Sequence, residues 1–124
     1  MTATRRQREH AAQAELMAWT LKARDRYPEL NLLFAIPNGE YRDWKTAKKL
    51  RAEGVKAGVP DLFLPVPRGG YHGLWIEMKI TGGRLSKVQR LWHLALQGQG
   101  YLVKTCWSVQ EAQEVLEEYL GLAH

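Results

Sequence analysis

The chain has 124 residues, 45% hydrophobic and 25% charged, a globular composition that excludes a disordered or collagen-like chain and suits one domain over 1–124. Its longest apolar run, residues 32–36, falls far short of the ~20 a membrane helix needs. Lys and Arg number 18 against 13 acids, a net charge of +5, which favours a polyanionic partner, most simply nucleic acid.

Arg5, Arg6 and Arg8 are followed by Glu9, His10 and alanines rather than by an apolar signal segment. Cys106 is the single cysteine, so no internal disulfide can form. A reducing, intracellular and cytoplasmic setting follows as an expectation, with the thiol as core filler.

The first predicted helix covers residues 5–26, where Ala12, Leu16, Trp19 and Ala23 recur at helical spacing. Tyr27-Pro28 ends it, because a residue before proline is pushed out of the helical region. The apolar run 32–36 reads as a buried strand, stopped by Pro37-Asn38-Gly39. A basic helix over 41–53 carries Trp44, Ala47 and Leu50 on one side and ends at Gly54.

Strands at 61–66 and 73–80 flank a turn, Pro67-Arg68-Gly69-Gly70-Tyr71-His72, and so form a hairpin. Ser86 with Gln89 makes a capping box for the next helix, whose apolar face is Val88, Leu91, Trp92 and Ala95. A fourth strand at 101–106 precedes a last helix, opened by Ser108 with Glu111 and running to about Leu120. The predicted order is α-β-α-β-β-α-β-α, a mixed α/β sandwich. The five tryptophans fall mostly on apolar stripes and read as core.

The hairpin is the informative element. A turn centred between Gly69 and Gly70 sets Asp61 opposite Met78, one residue from Glu77 across the ladder. Glu77 and Lys79 then share one strand face, while Leu74, Ile76, Met78 and Ile80 take the other. Two carboxylates that close raise each other's pKa unless a cation lies between them. Such oxygen ligands suit Mg²⁺ or Mn²⁺ rather than zinc. Lys79 beside them could orient or deprotonate a water, or hold a phosphate. Acid, acid and ammonium together equip a site for metal-assisted phosphodiester hydrolysis. The plainer reading, a solvated strand face with a cross-strand ion pair, stays open at this level. Asp43-Trp44-Lys45 has the same acid-x-Lys pattern but falls on a helix, where positions two apart do not face each other.

The chain resembles the VRR-NUC domains of the PD-(D/E)xK nuclease superfamily. The likeness runs from about Glu9 to Leu120, through Glu9-His10-Ala11-Ala12-Gln13, Ile36-Pro37-Asn38-Gly39 with Arg42, and Ala47, Leu50 and Glu53-Gly54-Val55. It continues through Gly58-Val59-Pro60-Asp61, Gly73-Leu74-Trp75-Ile76-Glu77-Met78-Lys79 and Gly83-Arg84-Leu85-Ser86 with Gln89. It implies a restriction-endonuclease-like fold and Mg²⁺- or Mn²⁺-dependent DNA cleavage. Asp61 and Glu77 match the motif acids that ligate metal, with help from the Met78 backbone carbonyl, and Lys79 matches the motif lysine. Gln89 matches a glutamine near the site, although it also closes the capping box. A first-helix glutamate is expected to reach the metal, Glu9 in preference to Glu15. Asn38 or Arg42 is expected at the DNA backbone.

Lys48, Lys49, Arg51 and Lys56, with Arg84 and Lys87, are candidate phosphate contacts, or else a solvated face. His72 reads as a surface residue, and His10 could face the cleft. The expected activity is that of a stand-alone phage or bacterial endonuclease on branched DNA, resembling a Holliday-junction resolvase. The alternatives are a flap or nicking nuclease of broader specificity, and a non-catalytic basic nucleic-acid-binding module. One acid cluster cuts one strand, so a homodimer is expected, with the first helix or the 41–53 helix at its interface.

Overall fold

The structure, a computed structural model, describes residues 2–37 and 43–124. Helix α1, Arg5–Ala23, starts from Thr4, whose hydroxyl accepts the Gln7 N–H while the Gln7 side chain accepts the Thr4 N–H. It ends three residues short of the predicted boundary. The Tyr27 N–H returns 2.8 Å to the Ala23 carbonyl, and residues 24–26 form a turn ahead of Pro28.

The buried strand expected at 32–36 is not what forms. Pro28–Leu32 is a 3₁₀ turn, and β1 is only Phe34–Ala35. Leu30 and Leu33, three apart, face inward together, whereas Leu32 and Phe34 are exposed. Among the described residues β1 pairs only with β2 and lies at the sheet edge, and both its residues are exposed.

Helix α2, Trp44–Ala52, is capped by Asp43, which accepts the Lys45 N–H and the Thr46 hydroxyl. That capping role accounts for the acid-x-Lys pattern at 43–45. The helix ends as expected: the Gly54 N–H returns to Arg51 and the Val55 N–H to Leu50, a Schellman closure.

β2 (Leu62–Leu64), β3 (Leu74–Met78) and β4 (Leu102–Cys106) complete a sheet of order β1-β2-β3-β4. The first two pairings are antiparallel and the last is parallel. Helix α3, Lys87–Gly98, makes the crossover that a parallel pair requires, and α4 is Val109–Leu120. The mixed α/β class and the element order are those the sequence predicts.

The hairpin tip is also where expected. Gly69 and Gly70 carry φ of +58° and +84° between the bridged pair Arg68 and Tyr71, the backbone of a type I′ turn. The strand register nevertheless differs from expectation by one residue, with Leu62 facing Ile76 and Leu64 facing Leu74. The extra residue is absorbed at Pro65-Val66-Pro67. There the Val66 N–H folds back 2.9 Å onto the Leu64 carbonyl, and neither proline can donate to a ladder. Continued by one step, this register sets Asp61 level with Glu77 rather than with Met78.

Leu62, Leu64, Leu74, Ile76 and Met78 form one sheet face and pack with Leu16 of α1 and Ala112, Leu116 and Tyr119 of α4. Tyr119 anchors the bulge by donating its hydroxyl to the Val66 carbonyl at 2.6 Å. Cys106 is buried in the same core, as expected, and burial pushes its thiol up to about 12. The opposite face carries Phe63 stacked on Trp75 at 4.1 Å, Glu77 and then Lys79, with α3 over it. Here two expectations fail. Val88, Leu91 and Ala95, assigned to an apolar face, are exposed, and His93 is the buried residue of α3. Trp44 and Trp107 are exposed rather than core.

Candidate functional site

The site is built where β2 and β3 end beside α3. Gly58 has φ +90°, and a Cβ on it would lie 2.4 Å from Val88 Cγ1. Only glycine lets the 58–60 loop lie directly on the first turn of α3. Asp61 follows. Its carbonyl accepts the Ile36 N–H at 2.8 Å, which extends the β1–β2 ladder. Its Oδ2 accepts the Met78 N–H at 2.7 Å. The carboxylate therefore spans to the backbone of β3, despite the shifted register.

Glu77 and Lys79 emerge from one face of β3, with exposures of only 2% and 7%. Both are far more buried than is usual for charged residues. The Lys79 N–H continues the sheet by donating to the Cys106 carbonyl at 2.8 Å. Met78 between them turns its side chain into the core, and its amide is engaged with Asp61.

α1 supplies the third wall. Arg6, Glu9, His10 and Gln13 share one helical face and, with Asp61, Glu77, Lys79 and Gln89, line a polar cleft of about 50 Å³. That space holds an ion with a few waters. Glu9 therefore faces the cleft, whereas Glu15 is an exposed residue outside it. Gly83 closes the floor. A Cβ there would lie 3.1 Å from Glu9 Oε2 and 3.4 Å from Lys79 Cδ.

Gln89 does two things at once, which the sequence reading treated as competing. Its Oε1 accepts the Ser86 N–H at 2.8 Å, closing the capping box. Its Nε2 points at Glu77 Oε2, 3.5 Å away. One amide has two ends, and each end has its own partner.

The electrostatics are those of two acids pressed together. Asp61 is raised from 3.8 to about 7, first by burial and then by the Glu77 carboxylate, against the pull of the Met78 N–H and Lys79. Burial also raises Glu77, opposed by its hydrogen bond with Asp61 and by Lys79, and reinforced by Glu9. Without a cation the crowded pair therefore favours keeping a proton, and gives it up as pH rises through about 7.

Glu77 Oε1 has no hydrogen-bond partner among the described residues. An orphaned carboxylate oxygen beside a second acid fits a divalent cation. Among the described residues no three His, Cys, Asp or Glu side chains form a ready metal cage.

Lys48, Lys49, Arg51 and Lys56 are exposed on and just after α2, and Arg84 and Lys87 are exposed around the start of α3. His10 lines the cleft. His72 is an exposed turn residue that packs over Gly100. Asn38 and Arg42 lie outside the described residues. Sequence reasoning missed His93, whose Nε2 lies 3.7 Å from Glu77 Oε1. The available signal was its position four residues after Gln89, on the same side of α3.

This geometry can be set against known proteins. The family model for the VRR-NUC domain matches residues 2–110. The chain belongs to the VRR-NUC domain family. A solved structure described as a VRR_NUC domain protein is 26% identical, with a TM-score of 0.79 over 99% of this chain and 93% of that one. No curated protein matches this sequence significantly. A VRR-NUC domain is a nuclease of the restriction-endonuclease-like superfamily, whose members generally use divalent metals, and its substrate is DNA. No helix among the described residues is long and apolar enough to cross a membrane.

Proposed function

We propose that this VRR-NUC domain is a Mg²⁺- or Mn²⁺-dependent DNA endonuclease, selective for branched structures such as four-way junctions. The observation that carries the reading is a half-buried Asp61 set beside a buried Glu77, with Lys79 on the same cleft. Asp61 and Glu77 would hold the cation, with Glu9 within reach on α1. A bound divalent ion supplies charge to a phosphate oxygen and acidity to a water.

The chain's own residues do the rest. Met78 fixes the Asp61 carboxylate through its N–H, and Gln89 addresses the Glu77 carboxylate. Lys79 is anchored by its backbone at the sheet end, so its ammonium is delivered to the cleft on a short tether. There it orients the attacking water and offsets the charge that develops on the phosphate. Lys48, Lys49, Arg51, Lys56, Arg84 and Lys87 hold the DNA backbone without reading sequence.

One such cluster per chain cuts one strand. Paired cuts on opposed strands of a junction call for two clusters related by two-fold symmetry, and hence a homodimer. The exposed α3 residues Val88, Leu91 and Leu94 make α3 a better candidate interface than α1, whose apolar stripe faces the core, while α2, with Trp44 exposed, stays a candidate beside it. The test is incubation with linear, flapped and four-way-junction DNA in Mg²⁺, Mn²⁺ or EDTA. Symmetric, metal-dependent cuts confined to the junction support the reading. Equal cutting of flaps or linear DNA favours a nuclease of broader specificity, and no cutting in either metal refutes it.

A further inference from the structure

Gln89 and His93 leave α3 one turn apart on the same side, and both are aimed at Glu77. Gln89 Nε2 lies 3.5 Å from Oε2, and His93 Nε2 lies 3.7 Å from Oε1. Two nitrogens of one helix thus address the two oxygens of one carboxylate. His93 is 8% exposed, while its neighbours Leu91 and Leu94 are 56% and 65% exposed. α3 thus buries its histidine and leaves Leu91 and Leu94 in solvent, while Trp92 and Leu96 are half-buried beside Trp75, so apolar contact alone does not set its roll at this point.

His93 Nε2 and Glu77 Oε1 are both buried and both lack a hydrogen-bond partner among the described residues. Leaving either one unmatched costs its desolvation with nothing in return. A turn of the carboxylate that closes the gap by under an ångström, to the usual ~2.9 Å, satisfies both. Nε2 can donate from a neutral imidazole protonated there or from the cation, so the contact does not depend on the charge of the ring.

We infer that His93 is a positioning residue: its Nε2–H holds one lone pair of Glu77 Oε1 while Gln89 holds one of Oε2, which locks the carboxylate plane and leaves each oxygen a second lone pair for the cation. This rests on the reading of Glu77 as a cation-binding group. The partners behind a metal ligand typically affect metal affinity by about 10–100-fold.

The test is Mn²⁺ binding to DNA-free protein, by calorimetry and electron paramagnetic resonance, in the parent, His93→Leu, His93→Gln and His93→Asn. His93→Leu should weaken Mn²⁺ binding roughly 10–100-fold. His93→Gln, whose amide nitrogen reaches as far as the imidazole Nε2, should restore most of it. His93→Asn, one methylene shorter, should not, and it replaces the leucine variant if that fails to fold. Parent-like affinity in His93→Leu or His93→Asn overturns the role of His93 alone, as does equal weakening in His93→Gln and His93→Asn. Imidazole nitrogen coupling to bound Mn²⁺ that is present in the parent and in a His10→Gln variant but lost in His93→Gln also overturns it, since His93 would then be a ligand. A parent that binds no Mn²⁺, or a Glu77→Gln variant that binds it undiminished, refutes the metal reading and takes this inference with it.

Discussion

The Asp61–Glu77 pair makes the cation-free protein's stability depend on pH in a direction opposite to that of most paired carboxylates. The folded chain holds the Asp61 proton more tightly than the unfolded chain, because burial and Glu77 raise this carboxyl from 3.8 to about 7. Its contribution to stability is therefore fully present below about pH 4 and is lost as pH rises through about 7. The size of the shift sets a ceiling of about 4 kcal/mol. Asp61 borders the open cleft, and water there reduces the effect to roughly half that ceiling. Asp61→Asn keeps an oxygen for the Met78 N–H and removes the charge. In EDTA at pH 8 it should therefore stabilise the fold by about 2 kcal/mol, or roughly 6–10 °C in Tm for a chain of this size. At pH 4 the parent carboxyl is itself largely protonated when folded, and the difference should shrink toward zero. Mg²⁺ should raise the Tm of the parent at pH 8 and leave that of the variant nearly unchanged, while the variant loses cleavage. Thermal melts at the two pH values, with and without Mg²⁺, read all of this directly. An Asp61→Asn protein that melts at or below the parent temperature at pH 8, or by the same margin at both pH values, refutes the picture of a frustrated acid pair.

Lys79→Ala should lose about 10²–10⁴ in cleavage rate, and Lys79→Arg should not rescue it if the amine handles a proton, which single-turnover kinetics will show. Affinity for junction DNA should fall with salt by about 0.9 in the log–log slope for each phosphate contact, and Lys48→Ala or Lys87→Ala should each lower that slope by about that amount. Gly58→Ala must place a Cβ against Val88 at φ +90°, so it should lower Tm and disturb Asp61, which lies three residues on. Light scattering should report a dimer that Leu91→Glu dissociates, and the dissociated protein should nick junctions without resolving them.

What could be read from the chain was what local chemistry decides. The Gly69-Gly70 tip, the Ser86 capping box and the Gly54 closure depend on a few adjacent residues, and each forms as expected, whereas of the Ser108–Glu111 box only the Ser108 half forms, the Glu111 carboxylate accepting the Trp107 N–H instead. The register of the hairpin does not depend on its tip alone. The turn at Val66 that shifts it is fixed by the Tyr119 hydroxyl, which arrives from the far end of the chain. Within the site, Asp61, Glu77 and Lys79 were legible because alternation along a strand is rigid. The preference for Glu9 over Glu15 rested on a family pattern, since both are acids on one helix. The cleft distinguishes them, with Glu9 sharing its face with Arg6, His10 and Gln13.

The orientation of α3 shows why periodicity misled. An apolar stripe predicts the buried face only where apolar burial decides how a helix rolls on its neighbour. Under α3 the sheet presents Trp75 and then Glu77, a carboxylate that is 2% exposed and meets water only through the narrow cleft it shares with α1. Leaving that carboxylate against leucine would cost more than leaving two leucines half in water, because a buried charge without donors costs several kcal/mol and an exposed leucine forgoes roughly 2. The helix accordingly rolls to bring Gln89 and His93 onto Glu77, and Leu91 and Leu94 turn outward as the consequence. The polar grip on the site and the apolar surface available to a second copy are two results of one rotation. A change that frees Glu77 of its charge, such as Glu77→Leu, should release α3 to roll its leucines inward, with a loss of the dimer that light scattering can measure.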